Sequence, residues 1–241
     1  MYKRQTYQTL VANSTFTQGW IRRWWGREAT VLYPPVTLHE PGEKATIILG
    51  VGRFFAPKAG HSKKQLEMVE AFGRLVAGGE AEGWELHLVG GCSEADQPYL
   101  DQVLAAAEGL PVQIHVDAPG AELADLYARA SIFWHAAGLG EDVEDDPNRQ
   151  EHFGISIVEA MSAGAVPVVR GQAGPAEIVE PGRSGRHFTD LDDLVAQTVE
   201  LIADPDELAR LSAGAVERAA WFGMDAFAER LEAIVERTVN R

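Results

Sequence analysis

Hydrophobic residues follow two alternating patterns from about Ala45 onward. Short runs rich in β-branched residues, such as ATIILGVG and AVPVVR, predict buried strands. The longer stretches between them carry hydrophobic residues at spacings of three and four, which predicts helices that pack one face on a sheet. One such stripe consists of Leu66, Val69, Phe72, Leu75 and Val76. The order strand, helix, strand, helix is typical of βαβ units and predicts an α/β fold with a parallel sheet.

The first segment, residues 1–36, lies outside this alternation. It contains a helical stretch that Asn13 or Ser14 would begin, followed by a strand-like run, VLYPPV, which Pro34 and Pro35 end. We expect this segment to have no strand-helix partners of its own.

Two further segments also differ from the alternating region. Residues 139–150 form a loop rich in glycine, proline and acidic residues that follows a predicted strand, and open parallel sheets bind ligands at the carboxyl ends of their strands. The last part of the chain predicts successive helices with breaks near Pro205 and Gly223. We therefore divide the chain into 1–36, a sheet-forming region at 37–203 and C-terminal helices at 204–241.

Composition and charge narrow the classes of function. The 241 residues are 46% hydrophobic and 24% charged, as in a soluble protein with a sizeable core. A formal net charge of −15 repels phosphate backbones, so we expect no nucleic-acid partner. The single cysteine, Cys92, excludes an intrachain disulfide and a multi-cysteine metal site. No signal peptide and no hydrophobic run of about 20 residues is present, so we expect a cytoplasmic protein without a membrane span.

The stretch EHFGISIVE, residues 151–159, carries the clearest chemical signal. If a helix begins near Phe153, its first amides point out of the N-terminus, where backbone N–H groups and the helix dipole bind phosphate. Those amides belong to Gly154, Ile155 and Ser156. Gly154 would also let a ligand come close to the backbone.

Two carboxylates flank this predicted anion site. Glu159 would lie about one turn into the helix, where it can accept hydrogen bonds from both hydroxyls of a ribose, and Glu151 lies just before the helix. The spacing alone leaves a second interpretation open. Glu159 would then be a solvent-facing helix residue, and Glu151 would only complement the helix dipole.

Positive charge for a diphosphate could come from two places. Arg53 follows Gly52 at a predicted strand end, and Lys63 or Lys64 stands at the start of the next helix. Arginine can bind two phosphate oxygens at once, while lysine acts as a point charge. Taken alone, these residues favour the other interpretation, in which Arg53 is a surface loop residue and the lysines form a solvated helix end.

Other patterns do not predict a cofactor or metal site. GVGRFF lacks the third glycine of a dinucleotide-binding motif, and the acidic run at 141–146 is typical of a solvated loop rather than a metal site. His87 and His115 alternate inside predicted strands, which favours a structural role. His135, at a strand end, and His152, beside the predicted phosphate site, remain candidates for function.

Taken together, these motifs are recognisable. EHFGISIVEAMSAGAVPVV, in which seven residues separate Glu151 from Glu159, resembles the donor-site motif of retaining glycosyltransferases of family 4, which have the GT-B fold. GVGRFF followed by KKQLEMVEAF resembles the paired arginine and lysine of that family, and the spacing places Lys63 at the lysine position, with Lys64 as the alternative. The resemblance implies a Rossmann-like parallel sheet with helices on both faces, followed by C-terminal helices.

The resemblance also implies a reaction and its partners. The intact enzyme would transfer a hexose, such as mannose, from a GDP- or UDP-linked donor to a hydroxyl acceptor. No metal cofactor would be required, because Arg53, Lys63 and the helix amides would stabilise the departing diphosphate. The N-terminal domain would be missing, with residues 1–36 as its remnant and linker, so we expect the fragment alone to be inactive.

By this resemblance the catalytic residues are Arg53, Lys63 and Glu151. The donor-binding residues would be Gly52, Lys64, His152, Phe153, Gly154, Ile155, Ser156 and Glu159, and no residue is assigned to a metal. The alternative hypothesis is a non-catalytic nucleotide-binding or interaction module of the same fold. An epimerase or a phosphorylase of the same architecture would require a different set of residues near Glu151.

Overall fold

The computed structural model describes residues 7–56 and 62–239. The strands are β1 (Val11–Ala12), β2 (Thr30–Val31), β3 (Ala45–Val51), β4 (Glu85–Gly90), β5 (Val112–Val116), β6 (Ala130–His135), β7 (Val166–Arg170) and β8 (Arg186–Phe188). The helices are α1 (Thr15–Trp25), α2 (Gln65–Gly78), α3 (Gln97–Ala107), α4 (Gly120–Arg129), α5 (Ile155–Ser162), α6 (Ala173–Ile178), α7 (Leu191–Ala203), α8 (Pro205–Ala219) and α9 (Met224–Val239). Short 3-10 helices occupy 94–96, 147–149 and 220–222.

Strands β3 to β8 form a six-stranded parallel sheet in the order β5-β4-β3-β6-β7-β8. Helices α2, α3 and α7 contribute buried side chains to one core, and α4, α5, α6 and α8 contribute to a second core. The prediction of a parallel sheet with helices on both faces is therefore confirmed. The strand order reverses direction between β3 and β6, which makes a crevice at their carboxyl ends.

Strand β6 lies in the middle of the sheet and is buried at all six positions. Phe133 and Trp134 have no exposed surface, and the Trp134 indole N–H donates a hydrogen bond to the Thr198 hydroxyl at 3.1 Å. Burial of a large apolar side chain stabilises a fold by about 1.5–3 kcal/mol, so this strand is well anchored. Its last residue, His135, is held at the crevice by that packing.

The N-terminal segment departs from expectation. Strand β1 pairs in parallel with β2, and α1 connects them, so the segment does have strand-helix partners of its own. That prediction was wrong because β1 has only two residues and leaves no hydrophobic pattern to detect. Strand β2 ends at Val31, before the two prolines, and Ser14 is the residue that caps α1. Residues 1–6 of the predicted segment lie outside the described residues.

Helix α1 is joined to the sheet-forming region through α6. The carboxylate of Glu177 accepts hydrogen bonds from the backbone amides of Thr15 and Phe16, both at 2.7 Å. A carboxylate at the N-terminus of a helix binds its unpaired amides and complements the helix dipole. Residues of the described N-terminal segment therefore pack directly on the sheet-forming region.

The predicted C-terminal helices are present, with Pro205 at the first position of α8 and Gly223 just before α9. Helix α8 buries Leu211, Ala215 and Ala219, and it packs against α5, so it shares a core with the sheet. The hydrophobic pattern did not predict β8 and α6, which have only three and six residues. Across the described ranges, none of the helices combines the length and the hydrophobicity needed to cross a membrane.

Candidate functional site

The candidate site lies where β3 and β6 end side by side. Gly52 and Arg53 follow β3, and His135 is the last residue of β6. The loop after β6 then leads to Glu151 and α5. Open parallel sheets bind ligands at such a reversal of strand order, so the fold brings the predicted residues to a suitable place.

The side chains of Lys63 and His135 both contact one carboxylate oxygen of Glu151. We call these three residues the Glu151 cluster. The Lys63 ammonium forms an ion pair with Oε2 of Glu151, and Nε2 of His135 lies 3.1 Å from the same oxygen. The side chains are only 16%, 2% and 14% exposed, in the order Lys63, His135, Glu151. Within the described ranges no hydrogen bond reaches the other oxygen, Oε1. That oxygen is the acceptor that a ligand hydroxyl could use.

The surroundings keep Glu151 ionised. Burial by itself would raise the pKa of this carboxyl, but the His135 hydrogen bond and the Lys63 charge outweigh it and hold the pKa well below its usual range. Burial lowers the pKa of His135, so the imidazole is neutral and donates its Nε2 hydrogen. Glu151 is therefore an acceptor of hydrogen bonds rather than a source of protons.

Two backbone features place the cluster. A side chain at Gly52 would put its Cβ 2.5 Å from Cγ of Lys63, so the lysine can pass only because this residue is glycine. The Gly174 amide donates a 3.0 Å hydrogen bond to the Glu151 carbonyl, which ties the first turn of α6 to the loop after β6. Lys63 and Glu151, both assigned to the site through the family resemblance, are thus brought together.

Arg53 lies next to this cluster rather than in it. Its exposed guanidinium stands 5.4 Å from the centre of the Phe55 ring and lines a cleft of about 480 Å³, which we call the Arg53 cleft. Other walls of the cleft include Gly91, Asp96 and Asp117. Among the described residues, no ion pair joins Arg53 to Glu151. Its role as a diphosphate ligand stays a prediction.

Lys64, the alternative to Lys63, has different partners. It is buried, adopts a left-handed conformation with φ of 61° at the start of α2, and pairs with Glu141 at 2.8 Å. Arg149 binds the same carboxylate at 3.1 Å, and the hydrogen bond from Lys64 is the main cause of a lowered Glu141 pKa. Lys64 therefore anchors the acidic loop to α2. Nowhere in the described ranges do three His, Cys, Asp or Glu side chains converge as a metal ion would need.

Helix α5 begins at Ile155, so the predicted start near Phe153 was two residues too early. Gly154 has a φ of 114°, which a helical residue cannot adopt, and the Phe153 ring is buried against Tyr33 and Phe222. The open amides at the helix start are therefore those of Ile155 and Ser156, since the next amide already bonds to the Gly154 carbonyl. The Phe153 side chain is part of the core, which leaves only its backbone to face a ligand.

Glu159 is held in place by a residue that the sequence did not single out. The buried Tyr127 hydroxyl donates a 2.8 Å hydrogen bond to Oε2 of Glu159, and burial and the adjacent carboxylate raise the Tyr127 pKa well above its usual range. Glu159 is partly buried rather than fully solvated. The sequence did hold a sign of this contact. Tyr127 lies within the hydrophobic stripe of α4, and the hydroxyl of a buried tyrosine needs a hydrogen-bond partner.

His152 lies at the edge of the site. It is exposed, its Nε2 donates a 3.0 Å hydrogen bond to the Pro147 carbonyl, and its ring stands 5.8 Å from that of Phe16. His87 and His115 lie elsewhere, stacked on each other and joined by a 3.0 Å hydrogen bond. Of the two candidate histidines, His135 is the one that reaches Glu151.

Comparison with known sequences gives a consistent result. The family model of glycosyl transferases group 1 matches residues 39–218. A D-inositol 3-phosphate glycosyltransferase of Thermobispora bispora is 34% identical over 149 residues, which are 60% of this chain and 32% of that protein. A GDP-Man:Man(3)GlcNAc(2)-PP-Dol alpha-1,2-mannosyltransferase of Mus musculus is 28% identical over 81% of this chain and 39% of its own length. The chain thus spans less than half the length of these relatives.

Solved structures share the fold. HepE of Anabaena, in complex with UDP, has a TM-score of 0.80 at 19% identity, over 97% of this chain and 65% of that one. Sucrose-phosphate synthase from Thermosynechococcus elongatus has a TM-score of 0.76 at 20% identity, over 98% and 59%. The expected GT-B type of fold is thereby confirmed. Because the family model covers most of the chain, and because the predicted motifs lie within the match, this chain belongs to the group 1 glycosyl transferases.

Proposed function

We propose that this chain binds a nucleoside-diphosphate sugar and supplies the donor-binding half of a retaining glycosyltransferase. The observation that carries the proposal is the Glu151 cluster at the ends of β3 and β6, with the open amides of α5 beside it. Its relatives are named as glycosyltransferases, and one structural neighbour was solved with UDP. A diphosphate needs cations and N–H donors, and the sugar hydroxyls need a carboxylate, which are the groups present here.

The proposed reaction assigns a role to each group. The bond between the anomeric carbon and the phosphate oxygen breaks, and a bond to the acceptor hydroxyl oxygen forms on the same face. The departing phosphate oxygen takes the acceptor proton, so no protein base is required. Arg53, Lys63 and the α5 amides stabilise the developing charge, and each such donor contributes about 3 kcal/mol in the transition state. Glu151 holds the sugar hydroxyls and Glu159 the ribose.

Lys63 would change partners when the donor binds. Without a donor its ammonium is neutralised by Glu151. A diphosphate carries more charge than one carboxylate and competes for the same ammonium. Donor binding would therefore shift Lys63 toward the phosphate and free part of Glu151 for the sugar.

The proposal also extends to the acceptor, the transferred sugar and the nucleotide of the donor. A hexose such as mannose, linked to GDP or UDP, would be transferred to a hydroxyl, with no metal required. A second domain, outside this chain, would hold the acceptor, as in a two-domain enzyme. A non-catalytic nucleotide-binding or interaction module of the same fold is the second candidate.

Titration calorimetry with UDP, GDP and ADP, each free and sugar-linked, tests the proposal. We expect at least one diphosphate to bind, and Arg53→Ala to weaken it by about 10–100-fold, the effect of losing a charge-assisted hydrogen bond. The parent nucleoside should lose little affinity. Arg74→Ala is the matched control, because Arg74 lies on the surface of α2 and pairs with Glu70 and Asp192.

Absence of binding by folded protein to the whole panel would contradict a donor site. Equal losses for the diphosphate and the nucleoside in Arg53→Ala would contradict the assigned role of Arg53. Sugar transfer to an added acceptor by this chain together with its second domain would decide for the enzyme over the non-catalytic module.

A further inference from the structure

We propose that His135 is a positioning residue that keeps Glu151 oriented toward the donor sugar while Lys63 binds the diphosphate. The inference rests on the proposed function and adds a residue to it. It is carried by the shared contact of His135 and Lys63 with one oxygen of Glu151, which leaves the other oxygen open.

His135 is suited to hold a neighbour in place. It ends the central strand β6, and its side chain is buried. It lies between Trp134 and Ala136, which have no exposed surface. A side chain locked by packing on a strand defines a position more sharply than one on a loop. Glu151 follows a loop, so its orientation depends on such a partner.

The hydrogen-bond pattern determines the state of the imidazole. Nε2 lies 3.1 Å from Oε2 of Glu151, an ionised acceptor, so Nε2 carries the hydrogen. Nδ1 is buried without a hydrogen-bond partner among the described residues. A buried N–H without an acceptor is costly, so Nδ1 carries none, and the ring is a neutral Nε2–H tautomer. His135 therefore has one donor, aimed at Glu151.

The two partners of Glu151 respond differently to a diphosphate. The Lys63 ammonium is attracted to phosphate and can leave the carboxylate. The neutral His135 has no net charge for the phosphate to attract, and its other nitrogen offers no donor. His135 is thus the contact that remains on Oε2 when Lys63 changes partner, and Oε1 stays directed at the sugar.

The hydrogen bond from His135 also allows Lys63 to leave Glu151 and bind the diphosphate. A buried carboxylate that lost all its donors would be strongly destabilised. With His135 in place, Glu151 keeps one hydrogen bond and gains the sugar hydroxyl as a second. We therefore expect His135 to affect the sugar-linked donor more than the free diphosphate.

The experiment compares His135→Leu, which removes the donor, with His135→Gln, whose side-chain amide can present N–H near the position of Nε2. The probes are UDP with UDP-glucose and GDP with GDP-mannose, and the readout is the ratio of sugar-nucleotide to diphosphate affinity in the pair that binds. We expect His135→Leu to lower this ratio about tenfold, as for a hydrogen bond to a charged group. His135→Gln should stay within about threefold of the unmodified protein, since it keeps the donor.

A double-mutant cycle with Glu151→Gln separates positioning from general structural damage. If His135 acts through Glu151, adding His135→Leu to Glu151→Gln should leave the ratio unchanged, because the contact is already weakened. A folded His135→Leu protein with an unaltered ratio would overturn the inference, as would an equal effect in both backgrounds.

Imidazole nitrogen NMR of the unmodified protein provides a second test if the leucine variant fails to fold. We expect His135 to be a neutral Nε2–H tautomer with and without UDP or GDP. An imidazolium or an Nδ1–H tautomer would contradict the inference. If folded protein binds none of the probes, the proposed function fails, and the ligand-free spectrum still decides whether His135 donates to Glu151.

Discussion

At the scale of single residues, Glu151 is where the charges of the site converge. A lysine and a histidine donate to the same carboxylate oxygen, and the hydrogen bond and charge they supply lower the pKa of Glu151. A group whose pKa is lower in the folded than in the unfolded state stabilises the fold above the unfolded pKa. Glu151 therefore links the stability of the protein to pH in a defined direction.

We predict that Glu151→Gln lowers the free energy of unfolding by about 2 kcal/mol at pH 7, because Lys63 loses its ionic partner. The carboxyl has an ordinary pKa of 4.5 and a lower one in the fold. The contribution is thus full above about pH 5 and is lost as the pH falls below 4.5, so the two proteins should converge in acid. Urea unfolding at pH 7, 4.5 and 3.5 measures the difference.

The exposed Glu229 on α9 offers the matched control, since Glu229→Gln should change the unfolding free energy by less than about 0.5 kcal/mol at pH 7. A constant difference between Glu151→Gln and the unmodified protein at all three pH values would show that Glu151 has no lowered pKa.

At this scale the sequence predicts the polar residues of the site but not the side chains that they contact. The spacing of Glu151 and Glu159 left two interpretations open. It was the resemblance to family 4 glycosyltransferases that assigned both as ligands and placed Lys63 at the lysine position. Tyr127 was missed, because its hydroxyl meets Glu159 only after α4 packs near α5. Which of two adjacent lysines would meet Glu151 depended on the left-handed turn at Lys64.

At the scale of the elements, the start of α5 depends on one glycine. Gly154 combines a φ of 114° with a close approach, since a Cβ there would lie 2.6 Å from Cδ1 of Ile157. Residues other than glycine rarely adopt such a φ, and the strain costs about 1–3 kcal/mol. The same turn sets the first amides of α5, those of Ile155 and Ser156, close to Glu151, whose Cγ lies 3.6 Å from the position of a Cβ on Gly154.

We predict that Gly154→Ala lowers the free energy of unfolding by about 2 kcal/mol or more and weakens diphosphate binding as the helix start shifts. Gly120→Ala is the control at another helix start, where φ is ordinary and the added methyl meets open space. The control should be neutral or slightly stabilising, by up to about 1 kcal/mol. Urea unfolding and calorimetry measure both quantities, and a Gly154→Ala protein as stable as the control would refute the argument.

The hydrophobic pattern predicted the long strands and helices but not the short ones. The hydrophobic stripes gave the order of the major strands and helices, and proline and glycine marked the breaks before α8 and α9. Strand β1 and its pairing with β2, strand β8 and helix α6 were not predicted, because elements of two to six residues carry less than one full pattern.

At the scale of the whole molecule, an aromatic surface on α1 stands out from an otherwise acidic protein. Trp20 and Trp24 have ring centres 4.7 Å apart, and Trp24 is 62% exposed. Between α1 and the turn at 147–152 runs an apolar groove of about 200 Å³, the α1 groove. Exposed aromatic surface of this kind favours association, even though a net charge of −15 opposes it.

We predict that the chain associates as its concentration rises, and that Trp24→Ser reduces this association. Light scattering after gel filtration at several concentrations and in moderate salt measures the mass. Trp221→Ser is the control, because Trp221 is also exposed but does not line the α1 groove and stacks on Arg230 at 3.6 Å. A monomeric mass at every concentration would contradict the prediction.

The amino-acid order by itself determined the parallel α/β architecture, the positions of most elements and the identity of the charged residues in the site. The architecture and the element positions follow from local patterns, since hydrophobic periodicity extends over short stretches. The charged residues were identified through the resemblance of their motifs to family 4 glycosyltransferases. Tertiary structure alone decided which donors meet Glu151, because Lys63 and His135 lie 88 and 16 residues away along the chain. It also decided the starting residue of α5 and the place of Arg53, since backbone turns and packing set those positions after the sheet has formed.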